Sequence, residues 1–419
     1  MIFNYCRYKK ISSLFIGILL LASCSTYHRI KSIGVVNKAT VSQTSFLESI
    51  NYELVQALPV FFVQIDGKQY RFIVDTGGYT VLSEKIMKEV KGIKKVSYFD
   101  IKDGNNESDK IGTYILDKIT IGGIPFTDVG FAKIGFTEAE WFSCLGIDGT
   151  IGPNILKECI WFYDNDNLRI VLTDRIDKVN FDASLTIPIK TNNINKPIID
   201  YSIGNYSGNL TFDTGYNGFL NFYNPTKNLV FENFPRIEKI GHTSNAGNSI
   251  EKRKIEILKI DIVNVNGLLF TNTLATLDNY SSSDILGSRI FEVYNVAFDL
   301  ASDKVHFQQR SEGIIENNLN SFGFGFEFSN HTIQIGYIYK ESPASKAGIE
   351  VGDKVVSVNG TTYAFDSYCD FMERFEIASH DVIELELKRN QRIFRVSLKK
   401  EKLFSFMGCF HPINEQQHL

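Results

Sequence analysis

Residues 59–77 read PVFFVQIDGKQYRFIVDTG, and residues 197–215 read PIIDYSIGNYSGNLTFDTG, aligned without a gap. Each copy has the pattern of a strand, a tight turn (Asp66-Gly67-Lys68 or Gly204-Asn205) and a second strand, followed by Asp-Thr-Gly. Asp-Thr-Gly alone is an ordinary turn sequence, because Asp accepts hydrogen bonds from nearby backbone and Gly tolerates positive φ. Its recurrence at the same place in two copies predicts a repeated structural unit and a role for the loop.

The similarity continues downstream of each Asp-Thr-Gly. Residues 149–172, GTIGPNILKECIWFYDNDNLRIVL, correspond to residues 284–307, DILGSRIFEVYNVAFDLASDKVHF. Between the loop and this segment each half carries another strand pair, KITIGGIPF at 118–126 and KIDIVNVNGLLF at 259–270. The sequence therefore predicts two similar halves, one after the other, built from β-strands.

Over about residues 46–310 the sequence resembles the aspartic proteases, in the retropepsin-like form found in bacterial genomes. The resemblance rests on both Asp-Thr-Gly loops and on the apolar-apolar-Gly elements that follow them, Thr150-Ile151-Gly152 and Ile285-Leu286-Gly287. The first element departs from the pattern, because Thr150 takes an apolar position. The resemblance implies a mainly β fold with two tandem retropepsin-like β-barrel lobes, 46–180 and 181–310, in a pseudo-two-fold arrangement.

The same resemblance implies that Asp75 and Asp213 form a catalytic pair. Two carboxylates about 3 Å apart cannot both ionise cheaply, so they share one proton and their pKa values separate. One carboxylate then acts as a base on a bound water while the other donates to the scissile carbonyl. The neighbours expected to support the pair are glycines that admit backbone N–H groups and threonines that, in the family, hydrogen-bond across the lobe interface: Thr76, Gly77, Thr214 and Gly215.

The position after each Asp-Thr-Gly also bears on the chemistry. Pepsins place a Ser there, and its hydroxyl hydrogen-bonds the catalytic carboxylate, whereas this chain has Gly78 and Tyr216. A carboxylate with fewer hydrogen bonds to its charged form has a higher pKa. We therefore expect activity centred at mildly acidic to near-neutral pH.

In this family a β-hairpin flap closes over the cleft between the lobes. By position the first flap falls within residues 96–115, with the polar run DGNNES at 103–108 as its tip. The corresponding segment of the second half is 242–252. Tyr98 and Tyr114 are both candidates for the flap tyrosine of pepsins.

The N-terminus has the features of a secretion signal. A basic segment is followed by the apolar run ISSLFIGILLLA at 11–22, whose twelve residues are too few to span a bilayer, so we expect residues 1–23 to be removed. Leu21-Ala22-Ser23-Cys24 resembles the lipobox of bacterial lipoproteins, which implies a lipidated Cys24, a membrane anchor and a linker at 24–45. The alternative is an ordinary signal peptide that ends at a chance Cys.

Charge restricts the partners and the location. Removal of residues 1–23 takes away three positive charges and no negative ones, so the formal net charge changes from −4 to −7. A mildly acidic chain without a basic cluster is not expected to bind nucleic acid. Residues 25–29 lack the acidic tract that resembles a surface-export signal in some bacteria, so we expect the protein in the cell envelope, facing the periplasm.

The cysteines suggest neither a metal site nor a cofactor. With Cys6 removed and Cys24 lipidated, the spacings of the remaining four match no zinc pattern: Cys144, Cys159, Cys369 and Cys409. Cys144 and Cys159 lie near each other in sequence and the expected compartment is oxidising. A disulfide between them and two separately buried thiols are both compatible with the sequence.

A different pattern begins at Ser321. SPASKAGIEVGDKVVSVNG at 342–360, followed by a hairpin, resembles a PDZ domain over residues 321–400, and the tail at 401–419 has no readable signal. In PDZ domains a Gly-apolar-Gly-apolar loop offers backbone N–H groups to the terminal carboxylate of a peptide, which adds a strand to the sheet. The matching loop here is Gly323-Phe324-Gly325-Phe326.

The helix beside the expected peptide groove is predicted from its apolar spacing. Tyr368, Phe371, Met372 and Phe375 share one helical face, with Asp366 as the N-cap. Most of that face is expected to be core. An open groove and a purely scaffolding PDZ domain both remain compatible with this pattern.

These features predict an envelope-anchored aspartic endopeptidase whose PDZ domain binds peptide or protein C-termini. The alternative is a catalytically inactive lipoprotein that captures peptides in the cleft and in the PDZ groove. Two intact Asp-Thr-Gly loops favour the enzyme, because a pure binding protein gains nothing from paired carboxylates that repel near neutral pH.

Overall fold

A computed structural model describes residues 26–102, 108–133, 140–223, 228–243, 251–279, 283–315, 318–377 and 379–404. The described chain is mainly β, which confirms that part of the expected fold class. The expected signal peptide, Cys24, the expected flap tip at 103–107 and the tail from 405 lie outside the described residues. Among the described residues, no helix combines the length and the hydropathy needed to cross a bilayer.

The chain divides into two compact units, and unit 1 is the chain up to Asp200 with Asn209–Gly218 and Ile285–Gly313. Its strands, numbered along the whole chain, are β1 (Thr40–Val41), β2 (Leu47–Asn51), β3 (Glu53–Val55), β4 (Leu58–Ile65), β5 (Lys68–Val74), β6 (Val81–Leu82), β7 (Ile93–Lys102), β8 (Ser108–Ile121), β9 (Ile124–Ala132), β10 (Gly149–Ile151), β11 (Ile160–Asp164), β12 (Arg169–Thr173), β13 (Leu185–Pro188), β14 (Lys190–Thr191), β22 (Tyr294–Asp299) and β23 (Lys304–Gln309). Its helices are α1 (26–36), α2 (Glu84–Glu89), α3 (Glu140–Cys144) and α4 (Pro153–Leu156), with 3-10 turns at Ile176–Lys178, Ser288–Glu292 and Leu300–Ser302.

Unit 2 consists of Tyr201–Gly208, Phe219–Asp284 and the chain from Ile314. Its elements are β17 (Leu220–Tyr223), β18 (Arg236–Thr243), β19 (Glu251–Val265), β20 (Leu268–Asp278), β24 (Asn320–Ser321), β25 (Phe324–Ser329), β26 (Thr332–Tyr339), β27 (Lys354–Val358), β28 (Val382–Arg389), β29 (Arg392–Lys399) and β30 (Glu401–Lys402), with α5 (Asn228–Phe231), α6 (Pro343–Lys346) and α7 (Tyr368–Arg374). Three strands contain residues of both units: β15 (Pro197–Ile203), β16 (Tyr206–Asp213) and β21 (Asp284–Gly287).

A six-stranded β-barrel carries the first Asp-Thr-Gly loop. Its strands neighbour one another in the order β9-β6-β10-β5-β4-β8, and β8 also pairs with β9, which closes the barrel. Strand β4 alternates near its end, with Val63 and Ile65 buried and Phe62 exposed, as expected for a strand with one face on a core. The hairpin from β4 to β5 turns at Asp66 and Gly67, both at positive φ, which these residue types tolerate.

The strands of the second half repeat this order of neighbours. They run β20-β17-β21-β16-β15-β19, where Ser202 of β15 lies opposite Asn264 of β19, and β19 also pairs with β20. Each strand takes the place of its counterpart in the first half, β15 for β4 and β16 for β5. The internal repeat in the sequence is therefore a repeat in strand order as well.

A separate six-stranded sheet in unit 1 joins strands from both halves of the sequence, in the order β13-β23-β22-β11-β12-β2. Strand β11 is buried along its whole length, and Trp161 and Tyr163 are among the largest fully buried side chains. Because β11 pairs with β22, with Phe162 opposite Ala297, the matching segments of the repeat lie side by side.

Helix α1 lies within the range expected to be a linker and packs on β8 and β9 of unit 1. Ser32, Val35 and Val36 are buried, and the Ser32 hydroxyl lies 3.2 Å from that of Thr113 in β8. Gly130 permits the close approach, because a Cβ there would lie 1.7 Å from the Val35 carbonyl oxygen.

Strand β18 pairs with β26, so the second half and the PDZ region share one sheet within unit 2. Ile240 lies opposite Ile338, and the Lys340 N–H donates to the Glu238 carbonyl at 2.8 Å. A buried apolar cluster continues across the junction through Ile237 and Tyr339. The PDZ region is therefore built into unit 2 by strand pairing and by a common core.

Candidate functional site

The two Asp-Thr-Gly loops meet within unit 1. Strand β5 ends at Val74, and the N–H of the next residue, Asp75, donates to the Ile151 carbonyl of β10 at 2.9 Å. Strand β16 ends at Asp213 in the corresponding place. Both carboxylates are half-buried above buried threonines.

The threonines tie the loops together reciprocally. The Thr76 N–H donates to the Thr214 hydroxyl at 3.1 Å, and the Thr214 N–H donates to the Thr76 hydroxyl at 3.0 Å. Each hydroxyl then donates to the strand leading to the opposite loop, Thr76 to the Phe212 carbonyl and Thr214 to the Val74 carbonyl. Four hydrogen bonds between buried groups therefore fix one loop against the other.

The glycines bring each backbone against the opposite carboxylate. A Cβ at Gly77 would lie 2.1 Å from the Asp213 carboxyl carbon, and one at Gly215 would lie 2.7 Å from that of Asp75. Only a residue without a side chain allows these approaches. The two aspartates and the two glycines therefore form a reciprocal arrangement, and the carboxyl groups share a hydrogen bond.

The apolar-apolar-Gly elements pack against the backbone that follows each Asp-Thr-Gly loop. A Cβ at Gly152 would lie 2.4 Å from the Thr80 nitrogen, and one at Gly287 would lie 2.2 Å from the Gly218 carbonyl oxygen. Thr150, the departure from the apolar pattern, is buried and donates from its hydroxyl to the Tyr79 carbonyl at 2.8 Å. The Thr150 hydroxyl therefore fixes the backbone of Tyr79, the residue that follows the first Asp-Thr-Gly-Gly.

Burial is the main influence on the pKa values of both aspartates. Burial, and next the negative charge of Asp213, raise the pKa of Asp75 well above the ordinary value of 3.8. Burial also raises the pKa of Asp213, but the N–H groups of Gly215 and Tyr216 bond its charged form and oppose the shift. For Asp75 the Lys196 charge and the Gly77 N–H oppose the rise in pKa in the same way, so both carboxyl groups have raised pKa values.

Lys196 is a functional candidate that the sequence patterns do not indicate. Its positive charge lowers the pKa of both Asp75 and Asp213. The turn before it is ordered, since the Lys196 N–H donates to the Asn192 side-chain oxygen at 3.1 Å. The sequence offers one signal for this lysine: the internal repeat is broken there, because the alignment places Lys196 opposite the apolar Leu58.

Both expected flap segments belong to β-hairpins. In the first hairpin, β7 pairs with β8 from Ile93 opposite Leu116 to Lys102 opposite Ser108. In the second, β18 pairs with β19 as far as Thr243 opposite Glu251. Phe99 of β7 stacks on Tyr79 with ring centroids 5.5 Å apart, which brings the first hairpin to the second residue after the first Asp-Thr-Gly. The tips at 103–107 and 244–250 lie outside the described residues.

The two flap tyrosine candidates have other contacts. The Tyr98 ring stacks on His28 of α1 at 4.3 Å, and the Tyr114 ring stacks on Phe131 at 5.4 Å. The His28 ring nitrogen also lies 3.1 Å from the Ser97 hydroxyl. Helix α1 therefore packs directly on the first hairpin.

The PDZ loop depends on its two glycines. Gly323 has a φ of +91°, and a Cβ there would lie 2.0 Å from the Ser342 hydroxyl oxygen. A Cβ at Gly325 would lie 2.2 Å from the Tyr337 ring. Ser342 donates to the Tyr339 carbonyl at 2.6 Å and to that of Gly323, so the Ser-Pro-Ala motif holds the loop in place. Phe324 is buried and Phe326 is half-buried.

The helix beside the groove begins with a different cap from the one expected. Ser367, and not Asp366, is the N-cap of α7, since its hydroxyl accepts the Asp370 N–H at 3.1 Å. The Asp370 carboxylate in turn accepts the Asp366 N–H. This reciprocal pair resembles a capping box, and Asp366 takes part through its backbone.

The cysteines differ from both expectations, a disulfide between Cys144 and Cys159 and two separately buried thiols. Cys159 is a free, buried thiol, so no disulfide joins it to Cys144. Cys144 and Cys369 are each disulfide-bonded. Burial raises the pKa of the Cys159 thiol, which makes it a poor nucleophile. In the described part of the chain, no group of three or more His, Cys, Asp or Glu side chains is arranged to hold a metal ion.

Comparison with known proteins identifies one region. The family profile of the PDZ domain matches residues 334–389, from β26 to the last residue of β28. No curated protein matches the chain. Residues 334–389 therefore form a PDZ domain, and the loop at Gly323–Phe326 and strand β25 directly precede the matched range.

Proposed function

We propose that this protein is an aspartic endopeptidase in which Asp75 and Asp213 activate a water molecule, and that its PDZ domain binds peptide or protein C-termini. The supporting observation is the reciprocal loop arrangement, in which the glycine of each Asp-Thr-Gly lies against the opposite carboxylate. An arrangement with only structural carboxylates would not require two half-buried acids to share a hydrogen bond, since that costs stability at neutral pH.

The proposed reaction uses one protonated and one ionised carboxyl group. The ionised carboxylate of the pair takes a proton from water as the water oxygen bonds to the scissile carbonyl carbon, while the protonated carboxyl group donates its proton to the carbonyl oxygen. The tetrahedral intermediate then breaks its carbon–nitrogen bond as the protonated carboxyl group of the pair gives a proton to the leaving nitrogen and the ionised carboxylate takes one from a hydroxyl of the intermediate, which becomes the new carboxyl group. Lys196 stabilises the single negative charge that the pair carries throughout.

The test is cleavage of an unfolded protein by the purified chain. Asp75→Asn and Asp213→Asn should each abolish cleavage while leaving the folded state intact, because the pair titrates and acts as one unit. Asp66→Asn is the matched control, since Asp66 is an exposed turn residue at positive φ where Asn is equally tolerated. Retention of most of the activity in either dyad variant would refute the mechanism. No cleavage by the wild type under any pH, with peptide binding retained, would favour the inactive binding protein.

We further propose that Cys24 carries a lipid that anchors the protein in the cell envelope, facing the periplasm. The lipobox-like sequence supports the anchor, and the disulfides of Cys144 and Cys369 fit an oxidising compartment. Cys24→Ala should release the protein from the membrane fraction. Retention of an unacylated variant in that fraction would contradict the proposal.

A further inference from the structure

The hairpin of β15 and β16 places Lys196 opposite Asp213. The two strands are neighbours joined by the turn at Gly204-Asn205, and Asp200 of β15 accepts a hydrogen bond from the Asn209 side chain of β16 at 2.7 Å. Four residues back along β15 from this pair, and four residues on along β16, lead to Lys196 and Asp213. Residues opposite each other in an antiparallel pair have their side chains on the same face. The position of the lysine ammonium therefore depends on the turn that leads into β15.

The turn before Lys196 is shaped by two asparagines. The Asn192 side-chain oxygen accepts the N–H groups of Ile194 and Lys196 at 3.0 and 3.1 Å. Asn195 has a φ of +61°, a conformation that Asn adopts more readily than most residues. These features fix the shape of the turn, while contacts with another segment fix its place on the protein.

That other segment is the end of helix α1, where Asn37 binds the turn at two points. The Asn37 side-chain nitrogen donates to the Asn193 carbonyl at 2.7 Å, and its side-chain oxygen accepts from the Asn195 side chain at 2.9 Å. Because a backbone carbonyl can only accept, the first bond fixes the orientation of the Asn37 amide. The buried Ile194 side chain belongs to one apolar cluster with Val36. Polar and apolar contacts therefore hold the turn against the end of α1.

The end of α1 is itself tied to the loop of the first aspartate. The Lys38 carbonyl accepts the Asn154 side-chain nitrogen at 2.8 Å, and it also accepts the Gly130 N–H at 2.9 Å. The Asn154 side-chain oxygen accepts the Thr80 hydroxyl at 2.6 Å, and both side chains are 1% exposed. Thr80 lies five residues after Asp75. Hydrogen bonds between buried groups keep their geometry, so the residue that binds the turn extends from a rigid support.

Lys196 is the charge from outside the pair that affects both aspartates most. Other charged or titratable side chains of the surrounding elements are Arg29 and Lys38 of the N-terminal segment, Tyr79 and Tyr216 after the two loops, and Lys190 and Asp200 of β14 and β15. Of these, Asp200 is paired with Lys190 at 3.0 Å. Burial raises the pKa of Tyr79, and the Arg29 charge opposes that rise. A displacement of Lys196 should therefore change the pH dependence of cleavage.

We propose that Asn37 is a positioning residue for the cleavage reaction: through the turn at 192–195 it holds the Lys196 ammonium beside the two aspartates. This inference rests on the proposed peptidase function and adds the N-terminal segment to the support of the active site. Without its two hydrogen bonds the turn would move, and Lys196 with it. Both carboxyl groups would then keep their protons to higher pH, because the nearby positive charge would be weaker.

The test measures kcat/KM of the full chain for a quenched fluorescent peptide from about pH 3 to about pH 9. Asn37→Ala should shift both limbs of the profile to higher pH by about 0.5 unit, a part of what an adjacent opposite charge contributes. Lys196→Gln should shift them in the same direction. In the Lys196→Gln background, Asn37→Ala should add no further shift, because the charge that it positions is gone. Asn193→Ala is the matched control, since alanine keeps the carbonyl that Asn37 binds.

A second variant removes one of the bonds from the side of the turn. Asn195→Gly loses the side-chain donor but still permits the positive φ, so it should also shift the profile to higher pH. Shifts that add up in the Asn37→Ala, Lys196→Gln double variant would overturn the inference. The same holds if Lys196→Gln shifts the profile while Asn37→Ala and Asn195→Gly do not, whatever their urea midpoints. Both results leave the peptidase proposal standing, whereas a wild type that cleaves no peptide at any pH would reject both.

Discussion

The carboxylate of Asp75 is positioned by the absence of a side chain at Gly78. A Cβ at Gly78 would lie 2.1 Å from Asp75 Oδ2, the mobile end of that side chain. Gly78→Ala should therefore displace the carboxylate and leave the backbone in place. The pepsin-like replacement by Ser would displace it in the same way before its hydroxyl could form a hydrogen bond.

We predict that Gly78→Ala lowers kcat/KM by about a hundredfold, the cost of misplacing a reacting group by about 1 Å, and changes the free energy of unfolding by less than about 1 kcal/mol. Urea unfolding and peptide cleavage measure the two quantities. Gly34→Ala is the control, because Gly34 lies in α1 and, apart from the neighbouring residues and the backbone of the helix itself, nothing described lies within 4 Å of the added methyl. A fully active Gly78→Ala enzyme would show that the carboxylate is not held as described.

Replacement of Lys196 should change the pH dependence of cleavage. Its charge lowers the pKa of both aspartates, so Lys196→Gln should raise both values and shift both limbs of the kcat/KM profile to higher pH. Lys190→Gln is the control, since Lys190 is exposed and pairs with Asp200. An unmoved profile in Lys196→Gln would exclude Lys196 from the electrostatics of the pair.

Asp75 should also make stability depend on pH. Its folded-state pKa is raised, so the stability contributed by its neutral form is complete below the ordinary pKa of 3.8 and is lost as pH rises through the folded value. Asp75→Asn cannot ionise and should lose less stability than the wild type between about pH 4 and pH 8. Urea midpoints across that interval test this, with Asp66→Asn as the exposed control. Identical pH dependence of Asp75→Asn and wild type would contradict the burial of this charge.

At the scale of elements, the junction of β18 with β26 depends on Gly241. Its φ is +150°, and a Cβ there would lie 2.3 Å from the Gly336 carbonyl oxygen. Gly241→Val should therefore separate the strands and destabilise unit 2 by about 2 kcal/mol. Hydrogen exchange of the Lys340 N–H, bonded to the Glu238 carbonyl, should accelerate while amides of β4 and β5 serve as an internal control. Unchanged protection at Lys340 would contradict the pairing.

At the scale of the whole molecule, the PDZ domain is part of the folding unit that contains β18. Deletion of residues 318–404 would uncover Ile237, which is 6% exposed, and would leave an edge of β18 unpaired. We predict that the deleted protein loses most of its soluble yield, because exposed edges and apolar surface promote association. Tyr368→Ala, which keeps the domain, should remain soluble. Normal solubility and stability of the deleted protein would show that the domain is an independent appendage.

The sequence by itself determined the features that follow from local pattern. Alternation of apolar residues and turn residues such as Asp66-Gly67 indicated β-strands and a repeat. Two Asp-Thr-Gly loops in register indicated that Asp75 and Asp213 belong together, and the glycine loop with its Ser-Pro-Ala motif indicated the PDZ region. These signals can be read from the sequence because the alternation of side chains along a strand and the residue preferences of turns involve residues close together in the chain.

Only the tertiary structure decided which residues and strands contact these features. Lys196 acts on Asp75 and Asp213 through its charge. Charge interactions depend on distance in space and leave no characteristic spacing in the sequence. Strand β18 joins β26 because an unpaired edge accepts any strand that reaches it, which periodicity does not specify. Cys159 remains a thiol although Cys144 is near in sequence, since a disulfide depends on the geometry of the folded chain.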